Sequence, residues 1–209
     1  QIDNSMKKSK YTLTKAQIAC QEALDTCNKC TIIKSIRSGK TLTVLDYSVK
    51  NKYSNVLWIV PFLTNIKSLE EEVTKWNFNL KITSTTYKSL KHYCNKEYDM
   101  IVVDECHRIT QDSLKHLQTI NFRKLICMTG TYPTNIDKKN ILENELGCQI
   151  IFKYSIDDAV IDGNVAPYNI NIIEKELSKK NDIFVPFWYP LMRLVPKLFN
   201  LIKNKLSYK

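Results

Sequence analysis

The sequence predicts an α/β fold in which helices sandwich a mostly parallel β-sheet. Short apolar runs alternate with amphipathic stretches along the chain. The apolar runs are too continuous for one side of each strand to face water, which is typical of parallel strands covered on both faces. Seven runs predict strands: CTIIK, NVLWIVP, LKITST, YDMIVVDE, KLICMTG, CQIIFKYS and YNINIIEKEL.

The stretches between these runs predict the helices. A helix is expected from about Lys40, and further helices in LTNIKSLEEEVTKW, TYKSLKHYC and SLKHLQTI, whereas IDDAVIDGNVAP only separates the last two strands. In parallel sheets, ligands bind beyond the carboxyl ends of the strands. Three chemically unusual clusters follow strands directly, at residues 39–41, 104–105 and 129–131. We therefore expect one functional site at this edge of the sheet.

Length and composition narrow the class of protein. The 209 residues suffice for one well-buried domain with part of a second. A net charge of +10 and a pI of about 9.2 favour a polyanionic partner, although a basic surface kept for solubility gives the same charge. No run is suited to crossing a membrane, and the polar start does not resemble a signal peptide, so no membrane partner is expected.

The seven cysteines are odd in number and scattered, which together with the polar start predicts a reducing, intracellular location. Abundant lysine, asparagine and isoleucine are compatible with an A/T-rich genome, for example that of a virus or phage. The CNKC run, residues 27–30, has a spacing also found in zinc and redox sites. A structural zinc needs four ligands, however, and no second pair is suitably spaced, so we do not favour a metal there.

The SGKT run resembles the end of a phosphate-binding loop, Gly-x-x-x-x-Gly-Lys-Ser/Thr, but Lys34 stands where the first glycine belongs. A glycine at such a turn lets the backbone approach a phosphate, and the following helix supplies free N–H groups. Lys40 would add a cation and Thr41 a hydroxyl for magnesium, with Arg37, Ser38 and Gly39 completing the loop. Three residues alone also fit an ordinary helix start.

The VVDECH run strengthens the nucleotide hypothesis. Asp104 and Glu105 end an apolar strand, where adjacent carboxylates are costly to desolvate without a cation. A magnesium ion bridging two phosphates would supply that cation, with Asp104 holding the metal and Glu105 polarising the attacking water. The alternative, a solvent-exposed acidic turn, is disfavoured because SGKT lies upstream.

Several motifs together resemble a known family. DECH, residues 104–107, resembles motif II of the DExH group of superfamily 2 helicases, and MTGTYP resembles their motif III. VLWIVPFLTNIKSLEEE resembles motif Ia, ITSTTYKSL the segment contacting nucleic acid, and YTLTKAQIACQEAL the segment whose glutamine reads adenine. The order and spacing match over about residues 11–175. In this family the first glycine of the loop is commonly replaced, so Lys34 is compatible with it.

The resemblance implies a RecA-like P-loop NTPase domain, the first of two motor domains. We assign it to residues 1–176, and residues 177–209 to a linker followed by the start of a second domain or a C-terminal amphipathic segment. A membrane-surface or partner-binding helix is the alternative for that segment. ATP would be the substrate and Mg²⁺ the cofactor, and the partners would be nucleic acid, DNA or RNA, and a second motor domain.

The resemblance also implies roles for single residues. Lys40 would contact the β- and γ-phosphates, Thr41 and Asp104 the magnesium ion, and Glu105 the attacking water. His107 would couple the nucleotide site to motif III. The motif III residues concerned are Thr129, Gly130 and Thr131.

Other matched positions concern adenine and nucleic acid. Gln17 would read adenine, with Gln21 in reserve. Arg37 would touch either a phosphate or only solvent. Four residues would lie near the nucleic-acid backbone, namely Pro61, Phe62, Thr85 and Thr86. Core packing is an equal alternative for Phe62, and His92 and His116 are interpreted as surface or packing residues.

The main functional hypothesis is an ATP-dependent nucleic-acid helicase or translocase. The alternatives are a double-strand DNA translocase without strand separation, of the remodelling or restriction type, and a non-catalytic nucleic-acid-binding adaptor. Intact Lys40, Asp104 and Glu105 speak against the adaptor, and the DECH and TGT runs against a small-molecule kinase. No second-domain motif is found up to Lys209, so this chain alone is expected to be weakly active.

Overall fold

The computed structural model describes residues 11–35 and 37–167, and contacts divide the chain into two units, residues 1–167 and 168–209. The described part contains a six-stranded, all-parallel sheet with strand order β3-β2-β4-β5-β1-β6. This confirms the predicted fold class. The strands are β1 (Lys29–Lys34), β2 (Asn55–Val60), β3 (Lys81–Thr86), β4 (Glu97–Asp104), β5 (Asn121–Thr129) and β6 (Gln149–Tyr154).

Helices connect and flank the strands. The α-helices are α1 (Lys15–Leu24), α2 (Lys40–Lys50), α3 (Leu63–Trp76), α4 (Gln111–Leu117), α5 (Ile136–Asn140) and α6 (Ile156–Ile161). Helix α5 continues as a π-helical turn, Ile141–Glu145, and two 3-10 helices span Tyr87–Tyr93 and Cys106–Arg108. Within the described residues, no helix combines the length and the apolar character that a membrane crossing requires.

Six of the seven predicted strands are confirmed, and the seventh, YNINIIEKEL, lies outside the described residues together with the amphipathic C-terminal segment. TYKSLKHYC forms a 3-10 helix. Helices α5 and α6 were not predicted. Helix α6 lies where only a connection was expected, although Ser155 caps it through a reciprocal capping box with Asp158, a pattern readable in the sequence.

The core consists of two apolar layers, one on each face of the sheet. In β2, Trp58 packs into the layer beneath α1, α2 and α3, whereas its neighbours Leu57 and Ile59 pack into the opposite layer, which contains residues of α4. This alternation explains the continuous apolar runs, since both sides of each central strand are buried.

Strand register brings the three predicted clusters to one edge of the sheet. Ile33 near the end of β1 lies beside Thr129 of β5, and Asp104 at the end of β4 lies beside Met128. The segments that follow β1, β4 and β5 therefore leave the sheet side by side.

Lys124 links helix α1 and the segment after it to the sheet. Lys124 of β5 is buried, and its ammonium group donates hydrogen bonds to the carbonyl oxygens of Leu24 and Cys27. These acceptors lie at and beyond the C-terminal end of α1, where carbonyl groups lack partners within the helix. This lysine secures the helix that carries Gln17.

Candidate nucleotide-binding site

The loop between β1 and α2 has the glycine that its geometry requires. Gly39 adopts φ 71° and ψ 38°, a left-handed conformation, at the N-terminal cap of α2. A Cβ atom there would lie 2.4 Å from Nε2 of Gln17. The carbonyl oxygen of Gly39 accepts hydrogen bonds from the backbone N–H and the hydroxyl of Thr43, at 3.0 Å and 2.8 Å. Any larger residue would strain the loop and displace the glutamine.

Lys34, which replaces the first glycine of the pattern, points into the protein. Its side chain is fully buried, and Nζ donates to Oγ1 of Thr43 at 3.1 Å. Burial lowers the pKa of the Lys34 ammonium group to about 8. Lys40 Nζ donates to the carbonyl oxygen of Lys34 at 3.2 Å, so Lys34 contributes its backbone to the loop and its side chain to the interior. The lysine that replaces the glycine therefore does not project its side chain over the surface of the loop.

A cavity of about 400 Å³ brings the predicted phosphate and water contacts together. It is lined by Ser35, Arg37, Gly39, Lys40, Thr41, Leu42, Glu72 and Glu105. Lys40 and Glu105, far apart in sequence, thus share one cavity. Arg37 is exposed at its rim. The cavity therefore brings the Lys40 ammonium group and the Glu105 carboxylate together.

A neighbouring cavity of about 220 Å³ contains both predicted magnesium ligands. Thr41 and Asp104 line it, with Asn65 and Glu72 beside them. The Oδ1 atom of Asn65 is buried without a hydrogen-bond partner. Among the described residues, no three side chains of His, Cys, Asp or Glu converge as a metal cluster. A Mg²⁺ ion here fits a site where two protein oxygens are supplemented by phosphate and water oxygens.

The surroundings of Asp104 disfavour the charged form of its carboxyl group. Burial, and then the adjacent Glu105 carboxylate, raise the pKa of Asp104 to about 6. One oxygen of Asp104 accepts the backbone N–H of Glu105 at 2.9 Å, which only partly offsets these effects. A divalent cation at this carboxylate would offset them further, which agrees with the predicted metal role.

Glu105 sits in a tight turn that a tyrosine supports. Its backbone lies in the left-handed region at φ 48° and ψ 51°. The hydroxyl of Tyr87 donates to the carbonyl oxygen of Asp104 at 2.7 Å and lies 3.3 Å from that of Glu105. Sequence reasoning missed Tyr87, because a side chain bonded to a backbone carbonyl leaves no spacing signal.

The predicted coupling residues are also brought together. Nδ1 of His107 lies 2.8 Å from Oγ1 of Thr129 and 3.2 Å from a carboxylate oxygen of Glu105. The backbone N–H of Thr131 donates to the same Thr129 hydroxyl at 3.2 Å. Burial lowers the pKa of His107, although Glu105 opposes this. A neutral imidazole at pH 7 thus connects Glu105 with the segment after β5, where Gly130 lies on a separate cavity.

Lys138 is a second residue that contacts this turn and that the sequence did not reveal. Nζ of Lys138, in α5, donates to the carbonyl oxygens of His107 and Ile109 at 2.9 Å and 3.0 Å. Helix α5 follows motif III in the chain, so this lysine ties the motif III segment to the turn after β4.

The two glutamines of α1 contact different segments, Gln17 the loop before α2 and Gln21 the helix α2 itself. Nε2 of Gln17 lies 3.3 Å from the carbonyl oxygen of Gly39, at the loop. Gln21 is buried and donates to the carbonyl oxygen of Thr43 and, at 2.7 Å, to Asp46. Gln17 is thus the glutamine beside the loop, and its contact with adenine stays a prediction.

The predicted nucleic-acid contacts differ in exposure. The side chain of Phe62 is 52% exposed, with the guanidinium of Arg108 over its ring at 4.9 Å, so it is not a core residue. Thr85 and Thr86 are only 3% and 8% exposed. Direct contact with nucleic acid is therefore easier for Phe62 and the neighbouring Pro61 than for the two threonine side chains.

Comparison with known proteins decides the family. The profile of the SWI2/SNF2 ATPase family matches residues 45–185, about two thirds of the chain. The chain belongs to the SWI2/SNF2 ATPase family. This confirms the superfamily 2 motor resemblance that the motifs predicted. A search of curated proteins found no match.

Solved structures share the fold of this SWI2/SNF2 ATPase chain. The Sulfolobus solfataricus SWI2/SNF2 ATPase core in complex with dsDNA is 22% identical, with a TM-score of 0.56. The match covers 65% of this chain and 36% of that protein. The UvsW helicase of bacteriophage T4 is 14% identical, with a TM-score of 0.57. The match covers 70% of this chain and 64% of UvsW. The Type ISP restriction-modification enzyme LlaGI, bound to a DNA substrate mimic, is 17% identical, with a TM-score of 0.57. The match covers 97% of this chain and 23% of LlaGI. The chain spans less than two thirds of each of these proteins.

The raised pKa of Asp104 in this SWI2/SNF2 ATPase chain leads to a first prediction. Because the folded state raises the pKa of Asp104 to about 6, the folded state binds this proton more tightly than the unfolded state does. Asp104 therefore destabilises the ligand-free fold at pH 7, and this effect is lost as the pH falls from 6 towards 4. Asp104→Asn should raise the free energy of unfolding by about 1–2 kcal/mol at pH 7. Thermal denaturation without nucleotide at pH 7 and pH 5 measures it.

Asp99 on the same strand provides the control. Hydrogen bonds from the Ser54 side chain and the backbone of Asn55 lower the pKa of Asp99, so its charge stabilises the fold. Asp99→Asn should therefore lower the melting temperature at pH 7, opposite in sign to Asp104→Asn. A lower melting temperature for Asp104→Asn would contradict the conclusion that the charged Asp104 destabilises the fold.

Proposed function

We propose that this chain is the ATP-binding half of a nucleic-acid-dependent ATPase motor, a helicase or translocase. The observation that carries the proposal is the pair of adjoining cavities that share Thr41. One joins Lys40 to Glu105, and the other contains Asp104. Membership of the SWI2/SNF2 ATPase family supports the same function.

Each residue of the site has one task in this proposal. Lys40 leaves the Lys34 carbonyl and binds the β- and γ-phosphates, because the phosphate charge makes a stronger hydrogen bond than a neutral carbonyl. Thr41 and Asp104 hold Mg²⁺, which when bound neutralises charge on the phosphate oxygens. Glu105 orients the attacking water, and His107 holds the Glu105 carboxylate at 3.2 Å.

The second motor domain has a defined part in this proposal. An arginine that reaches the phosphates from a partner domain is worth roughly 10³ to 10⁵ in rate. These residues alone should bind ATP and hydrolyse it slowly. This chain covers only 36% of the Sulfolobus ATPase core, which leaves room there for such a domain.

One observation favours a more specific candidate, a translocase on double-stranded DNA that does not separate the strands. The Sulfolobus relative was solved as a complex with dsDNA. The net charge of +10 suits a ligand recognised through its phosphates. Comparing duplex, single-stranded DNA and RNA as activators of ATP hydrolysis tests this candidate, since a duplex translocase responds to duplex DNA first. Activation by single strands alone would favour a helicase.

Lys40→Ala tests the proposal at its first step. Loss of a charge-assisted contact of about 1.5–3 kcal/mol should weaken nucleotide binding by roughly 10- to 100-fold. Titration of a fluorescent ADP or ATP analogue in the presence of Mg²⁺ measures the affinity. Lys67→Ala, on the exposed side of α3, is the matched control and should bind like the wild type. Equal affinity of the wild type and Lys40→Ala would overturn the phosphate site.

A further inference from the structure

Helix α3 presents two polar side chains to the candidate site that have no task in the proposed function. Asn65 and Glu72 are seven residues apart, which places them on one face of the helix, with Leu69 between them. Leu69 is 4% exposed and packs into the core. All three line the cavity that also contains the predicted magnesium ligands. Polar side chains on the inward face of a helix need partners there.

The carboxamide oxygen of Asn65 has no such partner in the described part of the chain. Its Oδ1 atom is buried, and no hydrogen-bond donor of the described residues reaches it. The backbone N–H of Asn65 donates to the carbonyl oxygen of Phe62 at 3.0 Å, so the residue is fixed at the start of α3. A buried acceptor without a donor is costly to a fold. This oxygen is therefore suited to accept a hydrogen bond from a ligand in the cavity.

The carboxylate of Glu72 is held in place by its own helix. Nε1 of Trp76, one turn later, donates to Oε2 of Glu72 at 2.8 Å. An ionised carboxylate accepts several hydrogen bonds, so this contact leaves acceptor positions for the cavity. Glu72 also lines the second cavity, with Lys40 and Glu105, and thus borders the metal site and the phosphate site together.

A further carboxylate at a phosphate site repels the phosphates unless a cation accompanies them. Mg²⁺ requires near-octahedral coordination by oxygen and keeps several of its water molecules. In the proposed function Thr41 and Asp104 supply two of the ligand oxygens, and phosphate and water supply the others. Each bound water has protons that need acceptors. The Asn65 oxygen and the Glu72 carboxylate are acceptors that line the same cavity.

We propose that Asn65 and Glu72 are positioning residues that accept hydrogen bonds from water molecules bound to Mg²⁺. The inference rests on the proposed function, since it takes Thr41 and Asp104 to hold the metal. Partners of this kind strengthen metal binding without touching the metal. The charge of Glu72 also disfavours a nucleotide that arrives without a metal ion. Together the two residues make the site selective for the magnesium complex of the nucleotide over the free nucleotide.

Glu72→Gln tests the inference through two affinities of a fluorescent ADP analogue, one with Mg²⁺ and one with EDTA. Without metal, the variant should bind the analogue about two- to fivefold more tightly than the wild type, because a negative charge is removed. The gain in affinity that Mg²⁺ produces should be about tenfold smaller. Glu71→Gln is the matched control, since it makes the same change on the exposed face of α3 and should leave both affinities unchanged. Equal loss of affinity in both conditions would show a packing role alone and overturn the inference.

Asn65 provides an independent pair of variants. Asn65→Leu has a similar shape without the acceptor, whereas Asn65→Asp keeps an oxygen at Oδ1. Electron paramagnetic resonance of Mn²⁺ bound to the protein–ADP complex measures metal affinity without turnover. Asn65→Leu should weaken Mn²⁺ binding roughly tenfold, and Asn65→Asp should retain it. Equal Mn²⁺ affinity of Asn65→Leu and the wild type would overturn the task assigned to Asn65.

The behaviour of the wild type separates this inference from the proposed function. If it binds the nucleotide through Lys40 but equally well with and without Mg²⁺, the inference is overturned and the phosphate site stands. If it binds the nucleotide in neither condition, the proposed function is overturned together with the inference.

Discussion

Glu105→Gln is expected to lower the rate of nucleic-acid-stimulated ATP hydrolysis by about 10²- to 10⁴-fold, the range found when a positioned acid–base group is removed. The amide has the shape of the carboxylate but cannot accept a proton from the attacking water. Nucleotide affinity should change little, because Lys40, Thr41 and Asp104 remain in the two cavities. Steady-state ATPase assays, together with nucleotide titration, separate the two effects.

Glu71→Gln is the control for this substitution, because Glu71 is exposed on α3. It makes the same chemical change without reaching the cavity and should retain wild-type turnover. If Glu105→Gln kept turnover within threefold of the wild type, another group would have to activate the water, and the role assigned to Glu105 would be wrong.

Trp58→Ala should produce the largest loss of stability, about 3–5 kcal/mol. Trp58 is 1% exposed in the middle of β2 and packs in the layer beneath α1, α2 and α3. Truncation removes most of that side chain, and the surrounding core closes only partly around the gap. Urea denaturation followed by circular dichroism measures the change in the free energy of unfolding.

Under the proposed function, the same substitution should also weaken Mg²⁺ binding, because Trp58 lines the cavity that contains Thr41 and Asp104. Trp76→Ala is the matched control for the loss of stability. Trp76 is half-buried at the end of α3, where its ring lies 5.2 Å from that of Tyr11, so its loss should cost less than that of Trp58. A larger cost for Trp76 than for Trp58 would contradict the assignment of the core.

The strands and their common edge were predictable because the sheet is buried on both faces. In β4, the four consecutive residues from Met100 to Val103 are apolar and buried, and this run is visible without a structure. Carboxylates at the end of such a strand then signal a cation. The strand order could not be read from apolar runs, since all central strands have a similar pattern.

What the sequence left open depends on side chains that meet backbone groups. Tyr87 and Lys138 both donate to carbonyl oxygens of the turn after β4, and carbonyl groups carry no residue identity. The inward direction of Lys34 was equally hidden, because a lysine is ordinarily expected to face solvent. Such contacts follow from the packing and not from spacing along the chain.

The position of β1 also affects how the molecule folds. Its neighbours in the sheet are β5 and β6, with Lys29 beside Leu125 and Cys30 beside Gln149. A nascent chain that ends before Asn121 therefore offers β1 no strand to pair with. Contacts of such long sequence separation form slowly, because the intervening chain must first be closed into a loop. The loop between β1 and α2 is synthesised before β5 and β6, and it acquires its final shape only after both strands are in place.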